Sequence, residues 1–291
     1  MPSLYNRHGT ARAGDDYQDL WGAQILVEFL EHPDRYQWVQ FEADGFGALD
    51  DIVALRADGK YVIRQIKFTV DVENERYEVT WDWLLRHSGA QGHGTSLLKK
   101  WADSLAPHLA SCVYEAALYT NRKAAADVTS VMNGDRIDFG AITDAAIRSE
   151  IITQLGGEDA ARAFFREFRF RVDCPEPVTL EESLKSRFLA MHGDMLGWLN
   201  LMSEIRIWAK YKDRPAPSGE ITIQVLRHAA AGTVSMSYHR GSSVLQITPC
   251  PLRTSIQLFW MPCATDAVHA WSSGGVQGLA KAHISAISST L

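Results

Sequence analysis

The sequence predicts an α/β fold, with a core of helix, three-stranded mixed sheet, helix and strand, followed by a mainly helical C-terminal extension. Three observations carry this expectation. Residues 16–31, DYQDLWGAQILVEFLE, place Leu20, Ala23, Ile25, Leu26, Phe29 and Leu30 at helical spacing. The stretch DDIVALRADGKYVIRQIKF, from Asp50 to Phe68, sets Asp58-Gly59 between two runs rich in β-branched residues, a strong short-range hairpin signal. Taken together, residues 1–125 run helix, strand, strand, strand, helix, strand.

The first helix is expected to begin near Asp15 and Asp16, whose charges suit a helix N-terminus, and to stop before Pro33. Trp38 to Glu42 then forms a short strand, and the hairpin follows with Ala57 to Lys60 as its turn. Thr95 to Leu109 reads as a helix weakened by Pro107, and Ser111 to Thr120 as a further strand. Residues 126–228 are mostly helical, interrupted by a strand-like FRFRV at 168–172. They include an apolar run at 184–211 fit for one or two packed helices and a linker-like DRPAPSG at 213–219. Beyond Ala229 the only charged residues are Arg240, Arg253, Asp266 and Lys281, so residues 229–291 are expected to be a low-charge tail outside the main fold. The chain thus divides into a core at 1–125, an extension at 126–228 and the tail.

Composition narrows the function. The 291 residues are 46% hydrophobic and 22% charged, ordinary values for a water-soluble protein, and no run of about 18 apolar residues could span a membrane. The opening residues lack the apolar stretch of a secretory signal. The four cysteines, Cys112, Cys174, Cys250 and Cys263, make no CxxC pair, so a cytoplasmic location without a zinc ribbon is expected. None of the ten histidines sits in an HxxxH or HExxH pattern. A net charge of −6 argues against binding nucleic acid by bulk attraction, but leaves room for a local basic groove.

The hairpin ends carry the chemistry. Residues i and i+2 of a strand share a face, so Gln65 and Lys67 point one way and Arg64 and Ile66 the other. Asp51 shares the face of Val53 and should lie across from positions 66–67. Alone, an Asp–Lys cross-strand pair contributes only about 0.2–1 kcal/mol and means little. Here the strands IVAL and YVI are apolar enough to be central, Glu42 ends the preceding strand, and Gln18 lies on the adjoining helix. Magnesium takes oxygen ligands, one or two carboxylates with waters and substrate phosphate, and a neighbouring lysine can orient a water or stabilise charge on phosphorus.

Asp51, followed fourteen residues on by Gln65-Ile66-Lys67, resembles the PD-(D/E)xK nuclease signature, in the variant where Gln replaces the second acid, as in Mrr-like restriction enzymes. The element order is similar to the restriction-endonuclease-like core of that superfamily. The set Arg12 to Gln18, Glu42, Asp50 to Val53, Gln65 to Lys67 and Tyr119 to Arg122 more narrowly resembles the double-stranded DNA endonuclease domain of CD-NTase-associated antiphage effectors, found also in large defence NTPases. The resemblance covers residues 10 to about 125 and reaches more weakly to about 228. It implies Asp51 as principal metal ligand, with Glu42 or Asp50 as a second carboxylate and the Ile66 carbonyl as a further oxygen. Lys67 would be the catalytic lysine, Gln65 a neutral ligand, and Gln18 and Tyr17 would support the site. Mg²⁺ is the implied ion, with Mn²⁺ as a substitute. Double-stranded DNA is the implied partner, together with a homo-oligomer or a separate sensor or activator protein.

For phosphate contacts, the candidates are Arg86, Lys99 and Lys100 around the Gly-rich turn at 89–94, and Arg169 and Arg171, which alternate with Phe168 and Phe170 on one strand. Trp81, Trp83, Trp198 and Trp208 are expected in the core rather than as base-stacking platforms. The competing reading is a catalytically silent nuclease-like fold, a DNA-binding or oligomerisation module in which Asp51 and Lys67 simply pair. Limited proteolysis should leave a resistant core ending near residue 228; a tail as protected as the core would contradict the predicted boundary.

Overall fold

The computed structural model describes residues 7–88, 94–108, 112–192, 194–231, 235–237 and 244–246. The fold is built on a mixed five-stranded sheet in the order β1-β2-β3-β4-β7. Its members are β1 (Tyr36–Phe41), β2 (Ile52–Arg56), β3 (Tyr61–Lys67), β4 (Val113–Thr120) and β7 (Phe168–Arg171). The first three strands are antiparallel, whereas β4 runs parallel to β3 and β7 parallel to β4. FRFR therefore joins the central sheet as its edge strand, so the sheet is not complete within residues 1–125. The ribbon of β5 (Met132–Asn133) and β6 (Arg136–Ile137) lies between β4 and β7 in sequence.

Period-2 alternation sorts the strand side chains onto two cores. Ile52, Ala54, Ile66, Ala117 and Tyr119 face α1 (Arg7–Glu31), which is backed by α7 (Pro177–His192), α8 (Met195–Lys210) and α9 (Ile223–Ala230). Val53, Ile63, Ala116, Leu118 and Phe168 face the other core, with α2 (Trp81–Leu85), α3 (Leu97–Leu105), α5 (Ala145–Leu155) and α6 (Glu158–Glu167). Trp81, Trp198 and Trp208 are buried core residues, as expected.

Helix α1 differs from its expected form. It starts by Arg7, so Asp15 and Asp16 lie mid-helix rather than at its N-terminus. Tyr17, Ala23, Ile25, Leu26, Val27 and Phe29 are all fully buried, because the helix is packed between the sheet and a second layer of helices. Gly22 permits the close approach to β1: a Cβ there would come within 2.8 Å of the Phe41 ring. The helix expected to reach Leu109 ends at Leu105 and tightens into a 3₁₀ turn, Ala106–His108, around Pro107. The 213–219 segment is no free linker, because Gln40 Nε2 donates to the Ser218 carbonyl and Ile221 exchanges backbone bonds with Val39 on the edge strand. Ala229 and Ala230 are buried at the end of α9, two residues past the expected boundary. The remainder of the predicted tail, apart from the short paired strands Ser235–Ser237 and Val244–Gln246, lies outside the described residues, as do Gly89 to His93.

The α1 face of the sheet encloses charge. Arg64, 5% exposed, donates from Nε to Glu115 Oε1 at 3.2 Å and from Nη1 to Gln24 Oε1 at 2.5 Å. Glu115, 9% exposed, also accepts from Tyr119 Oη at 3.0 Å and Arg171 Nη2 at 2.9 Å. Burial alone would raise the Glu115 pKa, but the Arg64 and Arg171 charges outweigh it and hold the carboxyl below its ordinary range. Glu115→Ala, which removes the nearer carboxylate of Arg64 and leaves only Glu28 Oε2 at 4.0 Å, is expected to lower the unfolding free energy by about 3 kcal/mol in urea denaturation; an unchanged midpoint would show that the network adds no stability.

Candidate metal centre

The hairpin register places the candidate residues. Arg56 N–H donates to the Lys60 carbonyl at 2.9 Å, which closes the turn over residues 57–59, with Gly59 in left-handed backbone at φ 79°. A three-residue loop with a left-handed glycine, in place of a two-residue one, sets Ile52 opposite Arg64. Carried one residue outward, this puts Asp51 opposite Gln65, not opposite positions 66–67. On the other side, Glu42 N–H reaches the Asp51 carbonyl at 3.3 Å and Ala43 N–H the Asp50 carbonyl at 3.0 Å, extending the β1–β2 pairing past Phe41.

Glu42, Asp50 and Asp51 consequently share one end of the sheet, each able to place a carboxylate oxygen within 4.8 Å of the others. Glu42 lies just beyond β1 with φ 47°, an uncommon backbone for a residue with a Cβ and of a kind concentrated at functional positions. Its Oε1 accepts from Gln18 Nε2 of α1 at 2.6 Å. Tyr17 instead supports from behind. Its hydroxyl donates to the Pro175 carbonyl at 3.1 Å, and its ring packs on Phe68 at 4.9 Å, immediately after Lys67.

Asp51 is the buried member, 7% exposed. One oxygen, Oδ2, accepts from Gln65 Nε2 at 2.5 Å and from Ile66 N–H at 2.6 Å, which orients the group and leaves Oδ1 uncommitted to either donor. The Gln65 amide then has its Oε1 buried with no hydrogen-bond partner. A buried carbonyl oxygen without a donor costs on the order of 1–3 kcal/mol, and a cation among the three carboxylates would satisfy it. The donor set, hard oxygens only, fits Mg²⁺ or Mn²⁺ and not a thiolate-seeking metal. Lys67 ends β3 on the Asp51 face, half-buried and without an ion pair among the described residues, though its charge acts on Asp51.

Outside the cluster, a cleft of about 420 Å³ opens beside Glu42 between Gln18 and Asp19 of α1 and Arg206 and Lys210 of α8. Asp19 faces Arg206 at 3.4 Å, and burial raises its pKa to about 6 against the pull of that charge. Sequence reasoning singled out neither residue, because their partnership depends on how α8 crosses α1.

The proposed DNA-contact residues fall into two groups on opposite faces of the sheet, Arg86, Lys99 and Lys100 at the end of α2 and on α3 and Arg169 and Arg171 on the α1 side. Arg169 and Arg171 do share one strand face, but it is the α1 face, opposite to Lys67, and they pair with Asp135 at 3.1 Å and Glu115 at 2.9 Å. Arg86 pairs with Asp82 and Lys99 with Asp103, both one helical turn apart. Lys100 donates to Ser88 Oγ at 3.3 Å and has no carboxylate partner among the described residues. No protein-family model and no curated protein matches this chain.

Burial raises the Asp51 pKa to about 6; the Lys67 charge and the Ile66 N–H pull it down, while Glu42 and Asp50 push it up. The folded value lies above the ordinary 3.8, so ionised Asp51 costs stability above about pH 6, and the cost is relieved as pH falls toward the ordinary value. Asp51→Asn is therefore expected to raise the unfolding free energy at neutral pH by on the order of 1–2 kcal/mol, while abolishing Mn²⁺ binding. In the wild type, Mn²⁺ affinity should drop about tenfold per pH unit below 6, as protons compete for the carboxylate. Affinity independent of pH would remove Asp51 from the ligand set.

Proposed function

We propose that the chain is a divalent-metal-dependent DNA endonuclease with a restriction-endonuclease-like core, hydrolysing phosphodiester bonds of double-stranded DNA. The observation that carries the reading is Gln65 Oε1, buried beside three clustered carboxylates with no partner among the described residues, and a lysine at the same strand end that forms no ion pair among them. The end of β1 and the β2–β3 hairpin supply these groups, α1 adds Gln18 beside Glu42, and the order of elements supports the superfamily resemblance. Effector activity in antiphage defence is the biological setting that the same resemblance suggests.

Asp51, Glu42 or Asp50, and the Gln65 oxygen would hold the ion, with the Ile66 carbonyl as a further candidate. Bound there, Mg²⁺ would supply Lewis-acid polarisation of a phosphate and stabilisation of the leaving oxygen. Lys67 carries the part that belongs to the chain itself. Its ammonium acts on Asp51 at longer range but is in no ion pair among the described residues, and it can hold an attacking water or balance charge developing on phosphorus. Gln65 and the Ile66 N–H keep Asp51 from rotating, and Gln18 does the same for Glu42. A neutral amide in place of a second acid weakens the hold on the ion and makes it lean more on the substrate phosphate. The described residues contain no helix long and apolar enough to cross a membrane.

Purified protein with Mg²⁺ should cut plasmid DNA, and Lys67→Ala and Asp51→Ala should each reduce the rate by at least about a hundredfold while remaining folded. Equal cutting by all three would place the activity elsewhere. Binding of DNA without cutting, unaffected by EDTA, would favour the silent module.

A further inference from the structure

Arg122 is a half-buried guanidinium that the cluster above does not use. Burial holds it below the ordinary arginine range, and no carboxylate stands among the causes that would oppose the shift. Among the described residues it has no ion pair, and its Nε is buried without an acceptor. Such a charge is expensive to keep inside a fold unless an anion arrives to meet it. The cation is nevertheless held firmly. Nη1 donates to the Tyr77 carbonyl at 3.0 Å, and the guanidinium carbon lies 4.9 Å from the Trp83 ring centroid and 5.7 Å from that of Tyr77.

Its place in the sheet gives the arrangement a direction. The parallel β3–β4 register pairs Gln65 with Leu118 and Lys67 with Thr120. Beyond these strand ends the Asn121 side chain takes the place of a backbone rung: Thr69 N–H donates to Asn121 Oδ1 at 2.9 Å, and Asn121 Nδ2 donates to the Thr69 carbonyl at 2.8 Å. The Arg122 guanidinium lies over Trp83, which packs on the core that holds Leu118, and alternation along the strands assigns Lys67 and Asp51 to that same face. Among the described residues Arg122 and Lys67 are thus two cations without an ion pair, one at the end of β3 and the other just beyond the end of neighbouring β4. Arg169 and Arg171, by contrast, are neutralised on the opposite face.

We propose that Arg122 is a phosphate-binding residue, contacting the DNA backbone next to the phosphodiester that Lys67 faces. This rests on the nuclease reading above. The guanidinium fork matches phosphate geometry, and its stacking on Trp83 and Tyr77 pre-orients it. The bound phosphate supplies the counter-charge that the fold withholds.

Arg122→Gln and Arg122→Lys test this by fluorescence anisotropy on a labelled duplex, with Ca²⁺ in place of Mg²⁺, between about 50 and 200 mM salt. Arg122→Gln is expected to weaken binding on the order of tenfold and to lower the salt slope by about one, with the thermal midpoint unchanged or raised. Arg122→Lys should keep the salt slope and recover part of the affinity. Wild-type affinity in Arg122→Gln overturns the inference, as does a weakened affinity accompanied by a lowered thermal midpoint, which identifies a stacking role only. If Arg122→Gln binds normally while Lys67→Ala abolishes cutting, the inference fails and the nuclease reading stands. A wild-type protein that neither binds nor cuts duplex DNA overturns both.

Discussion

Asp51 is a carboxylate that the fold keeps in a costly place. It is nearly closed off from water, held through one oxygen by Gln65 and the Ile66 N–H, and raised in pKa because those bonds and the Lys67 charge do not offset its burial. The features around it depend on one constraint, the antiparallel register of the hairpin. A three-residue turn puts Asp51 opposite Gln65; a shift by one residue would move Asp51 to the other side of the sheet, against Ile66 and α1. The same register leaves the Gln65 oxygen buried and unbonded, and it places Lys67 at the strand end facing the acids. Strain at Glu42, desolvation at Asp51 and an orphaned amide at Gln65 all converge on the same few residues, which suits a site completed by a cation better than a structural joint.

The distribution of charge over the two sheet faces supports that view. On the α1 face Arg64, Arg169 and Arg171 are met by Glu115 and Asp135, so positive charge there is consumed inside the fold. On the opposite face Lys67 and Arg122 have no such partners among the described residues, although both are half-buried. A protein of net charge −6 cannot draw in a polyanion by its overall field. Cations without ion pairs near the carboxylate cluster would do so locally, and a cation bound by that cluster would add to them.

Much of this was legible in the sequence because it depends on local periodicity. The hairpin, the sharing of a face by Asp51, Val53, Gln65 and Lys67, and the approach of Gln18 to Glu42 follow from alternation and element order. The exact register did not, since Asp-Gly suits both two- and three-residue turns and only backbone closure at Lys60 distinguishes them. The start of α1 was misplaced because Asp15 and Asp16 look like an N-terminal pair, whereas a helix buried on several sides takes its limits from packing. Arginine clusters were the least readable feature. Arg169 and Arg171 look like a basic stripe until Glu115 and Asp135, distant in sequence, are seen to meet them. Arg122 sits beside Lys123 in the sequence, and what separates the two is three-dimensional: Lys123 pairs with Glu73, whereas Arg122 has no ion pair among the described residues.

The central claim is that Gln65 contributes its oxygen to a divalent cation held with Asp51, and the most direct measurement is Mn²⁺ titration followed by electron paramagnetic resonance on Gln65→Glu and Gln65→Leu. A ligand at this position should gain from a negative charge and lose from an apolar replacement. The account predicts Mn²⁺ binding on the order of tenfold tighter in Gln65→Glu, with the fold of that variant less stable in EDTA and recovered by the ion, and strongly weakened binding in Gln65→Leu. The same Mn²⁺ affinity in both variants and the wild type would contradict it.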